Sequence, residues 1–296
     1  MAVTAALLLQ ACTCARPAKE TREPPVAQAS ARLATSTSQP APATARGMWV
    51  WSTGKRLGDE AALATLLGSC RRAGVNEVYL SVNAGILDDA RLPALVAGLR
   101  GAHIRVEALM GEAVWYRPEG RAPMLALIDT VAAYDKKHPE AGFAGIHLDV
   151  EPHQLPENKG DHGFVPLLAA AVAEASAHAA KRDLTSSVDL PRFALEEHGP
   201  AFARAADRVF VMLYELRGKS AQSLTKSSGN VVDRTYAGAG AEVTSHIVVG
   251  LSVDDYPADL EAMLAALESS HGGSSAARYG GWAIHDEAKY RARQHP

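Results

Sequence analysis

Two acidic residues separated by one position form the most informative pattern in this chain. Asp149 and Glu151 alternate with apolar residues, and His147 precedes them with the same spacing. Because a β-strand directs alternate side chains to one face, these three side chains are expected to share a face. Pro152 cannot extend a central ladder, so the strand should end just after Glu151. Like charges on a buried face repel each other and lose hydration, so the pattern predicts an active site.

Adjacent carboxyl groups favour acid–base chemistry on a leaving oxygen. To protonate that oxygen near neutral pH, Glu151 must hold a proton that a free glutamate loses. Burial and the neighbouring charge of Asp149 are both expected to raise the pKa of Glu151, which makes it the predicted general acid. The alternative is structural, with both carboxylates paired to arginines inside the fold.

The elements that position this pair alternate along the chain from residue 47 onward. Short apolar runs predict strands at 48–51, 77–82, 104–110, 144–151, 184–190, 209–214, 247–253 and 281–284. Helical patterns lie between them at 59–73, 92–99, 123–137, 164–182, 193–206 and 258–269, whereas residues 217–243 are weakly patterned. The alternation of strands and helices is typical of an α/β protein.

Eight strand–helix units in about 250 residues are typical of a (β/α)8 TIM barrel. A doubly wound open sheet would carry a glycine-rich phosphate loop after its first strand, and residues 51–55 (Trp-Ser-Thr-Gly-Lys) do not form one. The sequence therefore predicts one TIM-barrel domain over residues 46–296.

The active site of such a barrel lies at the carboxyl ends of its strands. Besides Asp149 and Glu151, the candidate residues at these ends or in the following loops are Trp51, Asn83, Trp115, His147, Asp189, Tyr214, Glu215, Asp254 and Trp282. Aromatic rings stack on the apolar faces of sugars and carboxylates bind hydroxyl groups, so the predicted ligand is a carbohydrate. The alternatives are packing for Tyr214 and Trp282, and solvated loop charges for Asp189, Glu215 and Asp254.

Three short segments resemble the chitinase-type, family 18 glycoside hydrolases. Residues 144–151 align with their Asp-x-x-Asp-x-Asp-x-Glu motif, in which the last Asp and the Glu match and the first two aspartates are Ala144 and His147 here. Residues 212–215 (Met-Leu-Tyr-Glu) are similar to the family's Met-x-Tyr-Asp, and Trp282 corresponds to the family's tryptophan on strand eight. The Asp-x-Glu element is also similar to that of family 25 lysozymes.

This resemblance implies a mechanism that uses the substrate's own 2-acetamido group. Glu151 would be the general acid, and Asp149 would orient the acetamido group for attack on the anomeric carbon. Tyr214 would hold the acetamido oxygen, while Trp282 and Trp51 would form the floor and the wall of the sugar subsite. The implied substrate is a polysaccharide that contains N-acetylhexosamine or a related sugar.

His147 replaces an inner aspartate of that family. As a cation it would pair with Asp149 and lower the pKa of that carboxyl group. The alternative is an interior histidine whose hydrogen bonds are satisfied within the barrel.

Two other functions are compatible with the same residues. One is a metal-dependent barrel hydrolase that uses His147, Asp149 and Glu151 as ligands. The other is a carbohydrate-binding lipoprotein that has lost turnover.

The first 45 residues differ from the rest. Residues 7–11 (Leu-Leu-Leu-Gln-Ala) lead into Cys12, which resembles the lipobox of a bacterial lipoprotein signal, although no Lys or Arg precedes the apolar run. Residues 15–45 are rich in Ala, Pro, Ser and Thr and read as a disordered linker. We therefore expect residues 1–14 to form a lipoprotein-type signal, Cys12 to be lipidated, and the protein to be exported and anchored in the bacterial cell envelope.

Composition narrows the function classes further. The chain of 296 residues is 47% hydrophobic with a formal net charge of −3 and lacks a basic run, which argues against nucleic acid as a partner. We expect a monomer that binds a glycan, needs no cofactor or metal, and contacts the membrane only through its lipid anchor. Cys70 falls in a helical pattern and is expected to be a small buried residue.

Overall fold

The computed structural model describes residues 44–214, 217–270 and 276–294. The predicted linker up to residue 43, Cys12 and Glu215 lie outside the described residues. Eight parallel strands close into a barrel in sequence order, which confirms the predicted TIM barrel. They are β1 (Ala45–Val50), β2 (Glu77–Ser81), β3 (Arg105–Met110), β4 (Gly145–Leu148), β5 (Thr185–Pro191), β6 (Arg208–Met212), β7 (His246–Ser252) and β8 (Tyr279–His285).

Helices surround the barrel. They are α1 (Glu60–Ala73), α2 (Ala84–Leu87), α3 (Leu92–Gly101), α4 (Arg121–Lys137), α5 (Val165–Ala180), α6 (Arg192–Ala205), α7 (Ala221–Tyr236), α8 (Leu260–Ser270) and α9 (Glu287–Arg293). Across the described ranges, none of them is long and apolar enough to cross a membrane. Cys70 is fully buried in α1, as its helical pattern predicts.

Side chains pack in two layers, one between the strands and the helices and one inside the barrel. The inner apolar layer consists of Ala45, Trp49, Tyr79, Leu109, Phe210, Val248 and Ala283. Gly47 makes room for this layer, because an added Cβ would collide with the ring and hydroxyl of Tyr79. The interior is therefore filled with side chains and is not a channel.

A buried ion cluster of Glu77, Arg105, Glu107 and Arg208 lies near the amino-terminal ends of β2, β3 and β6. Arg105 Nη1 lies 2.5 Å from Glu107 Oε1 and 3.2 Å from Glu77 Oε1. Arg208 Nη2 lies 2.6 Å from Glu107 Oε1, and its Nη1 donates to Glu77 Oε2 at 2.8 Å. Burial alone would raise the pKa of Glu107, but the two arginines lower it well below its usual value. The cluster thus balances buried charge at the end of the barrel opposite the predicted site.

Each predicted strand overlaps an observed one, but the structure differs from the prediction at the end of β4 and in the segment that forms α7. β4 ends at Leu148, so Asp149 and Glu151 follow the strand instead of ending it. Helix α7 occupies the weakly patterned segment; its buried positions include Ser228 and Thr235, which carry little hydrophobic signal. Its amphipathic period was therefore hidden by small polar residues.

Candidate active site

Asp149 and Glu151 stand at the carboxyl end of β4. The backbone N–H of Asp149 donates to the Met110 carbonyl oxygen at 2.9 Å, which continues the β3–β4 ladder beyond the strand. Gly111 permits this close approach, since an added Cβ would collide with the Asp149 carbonyl group. The position of Asp149 therefore depends on a glycine in the neighbouring strand's loop.

We expect Gly111→Ala to destabilise the fold and to displace Asp149. Forcing a methyl group against the backbone costs about 1–3 kcal/mol, and thermal unfolding should show this loss. Gly229→Ala is the matched control, because nothing lies within 4 Å of an added Cβ there and α7 gains helix propensity. Equal stability of the two variants would contradict the assigned contact.

The carboxyl group of Asp149 is poorly solvated and is repelled by its neighbours. Its Oδ1 atom is buried and has no hydrogen-bond partner among the described residues. Burial is the main cause that raises its pKa well above the usual value, followed by the charges of Asp189 and Glu151. Asp149 therefore holds a proton in conditions where a free aspartate is ionised.

The pKa of Glu151 lies close to neutral pH. Its side chain is 22% exposed, and burial followed by the charge of Asp189 raises its pKa to about 7. Gln154 Nε2 donates a hydrogen bond to Glu151 and opposes the shift. The raised pKa agrees with the sequence-based expectation, but the charge that contributes to it is that of Asp189 and not that of Asp149.

Neither carboxyl group is paired with a permanent cation. In residues 44–214, 217–270 and 276–294, the ion pairs of Asp149 and Glu151 include no Lys or Arg; Glu151 Oε1 lies 3.5 Å from His153 Nε2. The barrel arginines instead pair with Glu77 and Glu107. The structural alternative, in which arginines neutralise Asp149 and Glu151, is therefore not what this fold contains.

His147 does not pair with Asp149. Its Nε2 lies 2.8 Å from Asp189 Oδ2, and its Nδ1 lies 2.6 Å from Ser187 Oγ and 3.5 Å from Glu107 Oε2. Burial alone would lower the pKa of His147, but Asp189 and Glu107 raise it to about 9. The charge of His147 does lower the pKa of Asp149, as predicted, but burial and the charges of Asp189 and Glu151 outweigh it, so the net pKa of Asp149 is raised. His147 is a satisfied interior residue, as the alternative had it.

Asp189 lies inside the barrel on β5 and links three elements. Its Oδ2 accepts a hydrogen bond from Trp49 Nε1 at 2.8 Å in addition to the contact with His147. Its Oδ1 is buried without a hydrogen-bond partner in the described part of the chain. Asp189 is only 2% exposed, so direct contact with a large ligand is restricted.

Tyr214, His285 and Trp51 form an aromatic wall beside the acids. The Tyr214 and His285 rings are 5.2 Å apart, and Trp51 Nε1 donates to His285 Nε2 at 3.1 Å. Burial, then the charges of Asp189 and Asp149, raise the pKa of Tyr214 well above its usual value, which keeps its hydroxyl protonated. Trp51 is 42% exposed and offers an open ring face at the barrel mouth.

Two tryptophans expected to bind substrate are instead buried in the outer layer. Trp282 is 3% exposed, and its Nε1 donates to Glu268 Oε1 on α8 at 2.9 Å. It points away from the barrel interior, where Ala283 lies, because successive residues of a strand face opposite sides. Trp115 is 6% exposed and packs in the same outer layer. Neither ring forms a sugar-binding floor here, so those two expectations are corrected.

The remaining predicted residues lie at the rim. Asn83 caps α2 by accepting from the Ile86 backbone N–H at 3.0 Å, and it lines a cavity of about 180 Å³ with Trp51. Asp254 lies 2.5 Å from Lys289 Nζ and lines a separate open cavity of about 610 Å³. These residues surround the mouth but are not brought into contact with Asp149 and Glu151 by any described hydrogen bond.

The ligand set for a metal is not assembled. In the described part of the chain, no three His, Cys, Asp or Glu side chains are grouped so that they could hold a metal ion. His147 points below the mouth toward Asp189 and Ser187. The metal-dependent alternative built on His147, Asp149 and Glu151 therefore has no supporting geometry.

Three residues of the site were absent from the predicted set. They are Trp49, which donates to Asp189, His285, which accepts from Trp51, and Gln154, which donates to Glu151. Trp49 lies on β1 and Trp51 follows the strand by one residue, so the spacing of two positions places both rings on the same side and could have identified Trp49 as an inner residue.

Comparisons with known proteins agree with this fold. No protein-family model and no curated protein matches the chain. The glycoside hydrolase domain of PgaB (BpsB) from Bordetella bronchiseptica is 12% identical with a TM-score of 0.55, covering 86% of this chain and 96% of that one. A GH18 chitinase from Pseudoalteromonas aurantia is 12% identical with a TM-score of 0.55, covering 84% and 98%.

A third similar structure is an exo-β-1,4-mannosidase from Opitutaceae bacterium strain TAV5. It is 13% identical with a TM-score of 0.57, covering 82% of this chain and 52% of that one. At these identities the similarity establishes the barrel fold. The resemblance to chitinase-type barrels read from three short motifs is thus matched in the architecture.

Proposed function

We propose that this protein is a glycoside hydrolase that acts on a polysaccharide containing N-acetylhexosamine or a related sugar. The observation that carries the proposal is the pair Asp149 and Glu151 at the barrel mouth. Neither has a Lys or Arg partner in the described ranges, and both have raised pKa values. Perturbed acids at the carboxyl end of a TIM barrel are typical of catalytic groups. The similarity of the fold to solved glycoside hydrolases supports the same class.

In the proposed reaction Glu151 donates its proton to the glycosidic oxygen as the bond to the anomeric carbon breaks. The acetamido oxygen of the same sugar forms a bond to that carbon, with Asp149 orienting the acetamido N–H. Water then attacks the anomeric carbon, the Glu151 carboxylate accepts its proton, and the acetamido group is released. A single enzyme carboxyl group thus serves as acid and then as base.

The aromatic wall has a proposed role in positioning the sugar. The Tyr214 hydroxyl, kept protonated by burial and nearby acids, donates to the acetamido oxygen as positive charge develops. Trp51 stacks on an apolar sugar face. The floor assigned by resemblance to Trp282 is replaced by the His285 ring, which is partly exposed and contacts Trp51 and Tyr214.

A glycan panel tests the proposal. The protein is incubated with oligosaccharides with and without N-acetyl groups, and released reducing ends are measured. We expect cleavage only of the N-acetylated members, because the attacking oxygen belongs to the acetamido group. Cleavage of both sets at equal rates would leave a glycosidase without acetamido assistance.

The pH profile gives an independent prediction. Glu151 acts in its protonated form, and its pKa of about 7 places the loss of that form at neutral pH. We expect kcat/KM to fall about tenfold per pH unit above roughly pH 7, since it follows the protonated fraction of the free enzyme. A profile that stays flat to pH 9 would exclude Glu151 as the acid.

The second candidate function is carbohydrate binding without hydrolysis. The replacement of two motif aspartates by Ala144 and His147, together with the engagement of His147 by Asp189, favours it. It predicts glycan binding to the protein without any product from the panel, and binding that survives Glu151→Gln.

The location of the protein is a further part of the proposal. The lipobox-like residues 7–12 support export and lipidation of Cys12, with the barrel tethered to the cell envelope by residues 15–45. Expression in a bacterial host with labelled fatty acid should label the full chain. Absence of label, or undiminished label in Cys12→Ala, would refute the anchor.

A further inference from the structure

We propose that Asp149 and Asp189 share one proton through their Oδ1 atoms, which makes Asp189 the positioning residue for Asp149. The carboxyl pair itself stands on the geometry below. Its consequence for catalysis rests on the proposed glycosidase function, and the experiment keeps the two apart.

The strand register places the two residues side by side. β4 and β5 are parallel neighbours in which His147 pairs with Ser187 and Leu148 with Val188. Continuing by one residue sets Asp149 opposite Asp189, and adjacent strands lie about 4.8 Å apart. Asp149 lies two residues after His147, and Asp189 lies two residues after Ser187, the residue that pairs with His147. Both side chains therefore point to the same face as His147, whose ring lies inside the barrel against Tyr79 and Phe210. The two carboxyl groups therefore face the same interior space.

Each carboxyl group has one buried oxygen that lacks a partner. Asp149 Oδ1 and Asp189 Oδ1 are both fully buried without a hydrogen-bond partner among the described residues. Two ionised carboxylates are acceptors only and cannot satisfy each other. One proton between them turns one group into a hydrogen-bond donor. Both buried oxygen atoms then take part in a hydrogen bond, which removes the free-energy cost of leaving them unsatisfied.

The surroundings decide which group keeps the negative charge. Asp189 Oδ2 receives hydrogen bonds from Trp49 Nε1 and from His147 Nε2, both at 2.8 Å. The His147 ring is held in place by stacking on Tyr79, with centroids 4.2 Å apart, and by its contact with Ser187. Asp189 therefore already accepts hydrogen bonds from two donors, whereas burial and the neighbouring acids raise the pKa of Asp149. The proton therefore resides mainly on Asp149 and is donated to Asp189 Oδ1.

Other titratable groups add to the field at this pair. The charge of Asp189 acts on Glu151 and on His285, and the charges of both Asp149 and Asp189 act on the Tyr214 phenol. Glu107 faces His147 from below. Since the pair carries one negative charge next to Glu151, it delays the ionisation of the proposed general acid.

The test is a carboxyl titration of the full-length protein labelled with 13C at Asp and Glu side chains, followed by NMR. In the wild type the Asp149 carboxyl group should titrate well above the usual aspartate range, with Glu151 titrating near pH 7. In Asp189→Asn the Asp149 step and the Glu151 step should each fall by about one pH unit or more, because the neighbouring charge is gone. Asp59→Asn, an exposed helix cap that Asn also fills, should change neither.

The titration tests the shared proton directly and does not require that the protein cleave a glycan. An Asp149 carboxyl group that titrates near pH 4 in the wild type overturns the pair, as does an unchanged Glu151 step in Asp189→Asn. If Asp189→Asn does not fold, Trp49→Phe removes one donor from Asp189, so Asp189 holds more of the shared proton and the Asp149 step should move to lower pH. A raised Asp149 step that responds to these variants, in a protein that cleaves no glycan, would refute the proposed function and retain the pair.

Discussion

We expect Glu151→Gln to reduce the proposed glycan cleavage by at least two orders of magnitude while the barrel remains folded. A positioned general acid contributes about 10²–10⁴-fold, and glutamine has the same shape but no proton to donate. The expected loss is in kcat and kcat/KM alike, because the proton moves only in the transition state. Initial rates on the best member of the glycan panel measure the effect.

Glu157→Gln is the matched control. Glu157 lies six residues further on, and its half-exposed side chain pairs with Arg117. It has no described contact with Asp149 or Glu151, and its substitution should leave the rates unchanged. Wild-type cleavage by Glu151→Gln, with correct folding shown by circular dichroism, would eliminate Glu151 as the acid.

The Glu151→Gln variant should be more stable than the wild type at alkaline pH. The pKa of Glu151 rises from 4.5 to about 7 on folding, so the folded state loses stability as pH increases through that window. One pKa unit corresponds to about 1.4 kcal/mol, so this rise gives a loss of roughly 3–4 kcal/mol at most. Glutamine does not ionise, so the stability difference should be large at pH 8 and vanish below about pH 4.5.

We expect Arg208→Ala to lower the free energy of unfolding by about 3–5 kcal/mol. The arginine contacts Glu77 and Glu107 inside the barrel, and its removal leaves buried carboxylates with one cation fewer. Its guanidinium also lies over the Phe210 ring at 5.5 Å, so packing is lost as well. Urea unfolding followed by tryptophan fluorescence measures the change in midpoint.

Two further variants show whether the loss of stability in Arg208→Ala comes from removing a buried charge. Arg192→Ala removes the exposed Arg192–Glu196 pair on α6 and should cost less than about 1 kcal/mol. Arg208→Lys keeps the charge without the planar fork and should fall between the wild type and Arg208→Ala. A loss in Arg208→Ala as small as that in Arg192→Ala would show that the buried ion cluster contributes little to stability.

Local patterns were sufficient for the elements and for the acid pair. Short apolar runs and intervening helical periods defined all eight strands and six of the helices, because amphipathic period and strand length are properties of consecutive residues. The alternation of His147, Asp149 and Glu151 with apolar residues likewise identified the strand end that bears the acids. Helix α7 escaped because its buried face includes serine and threonine.

The direction of a side chain within a fully buried strand was not readable in the same way. Strands of a parallel barrel are covered on both faces, so they appear as continuous apolar runs. Residues 279–285 (Tyr-Gly-Gly-Trp-Ala-Ile-His) give no sign of which face is inside, and Trp282 proved to face the helices. The ring assigned to the sugar subsite was therefore placed on the wrong side of β8.

By itself, the sequence determined the barrel and the two acids at its mouth, since both follow from spacing along one segment. Only the tertiary structure decided what each acid faces. The pairing of β4 with β5 lets the charge of Asp189 act on Asp149 although 40 positions separate them in the chain. His147 binds Asp189, and Trp49 reaches the same carboxylate from β1. Charge, burial and proton affinity depend on neighbours across the barrel, and closure of the sheet is what brings those neighbours together.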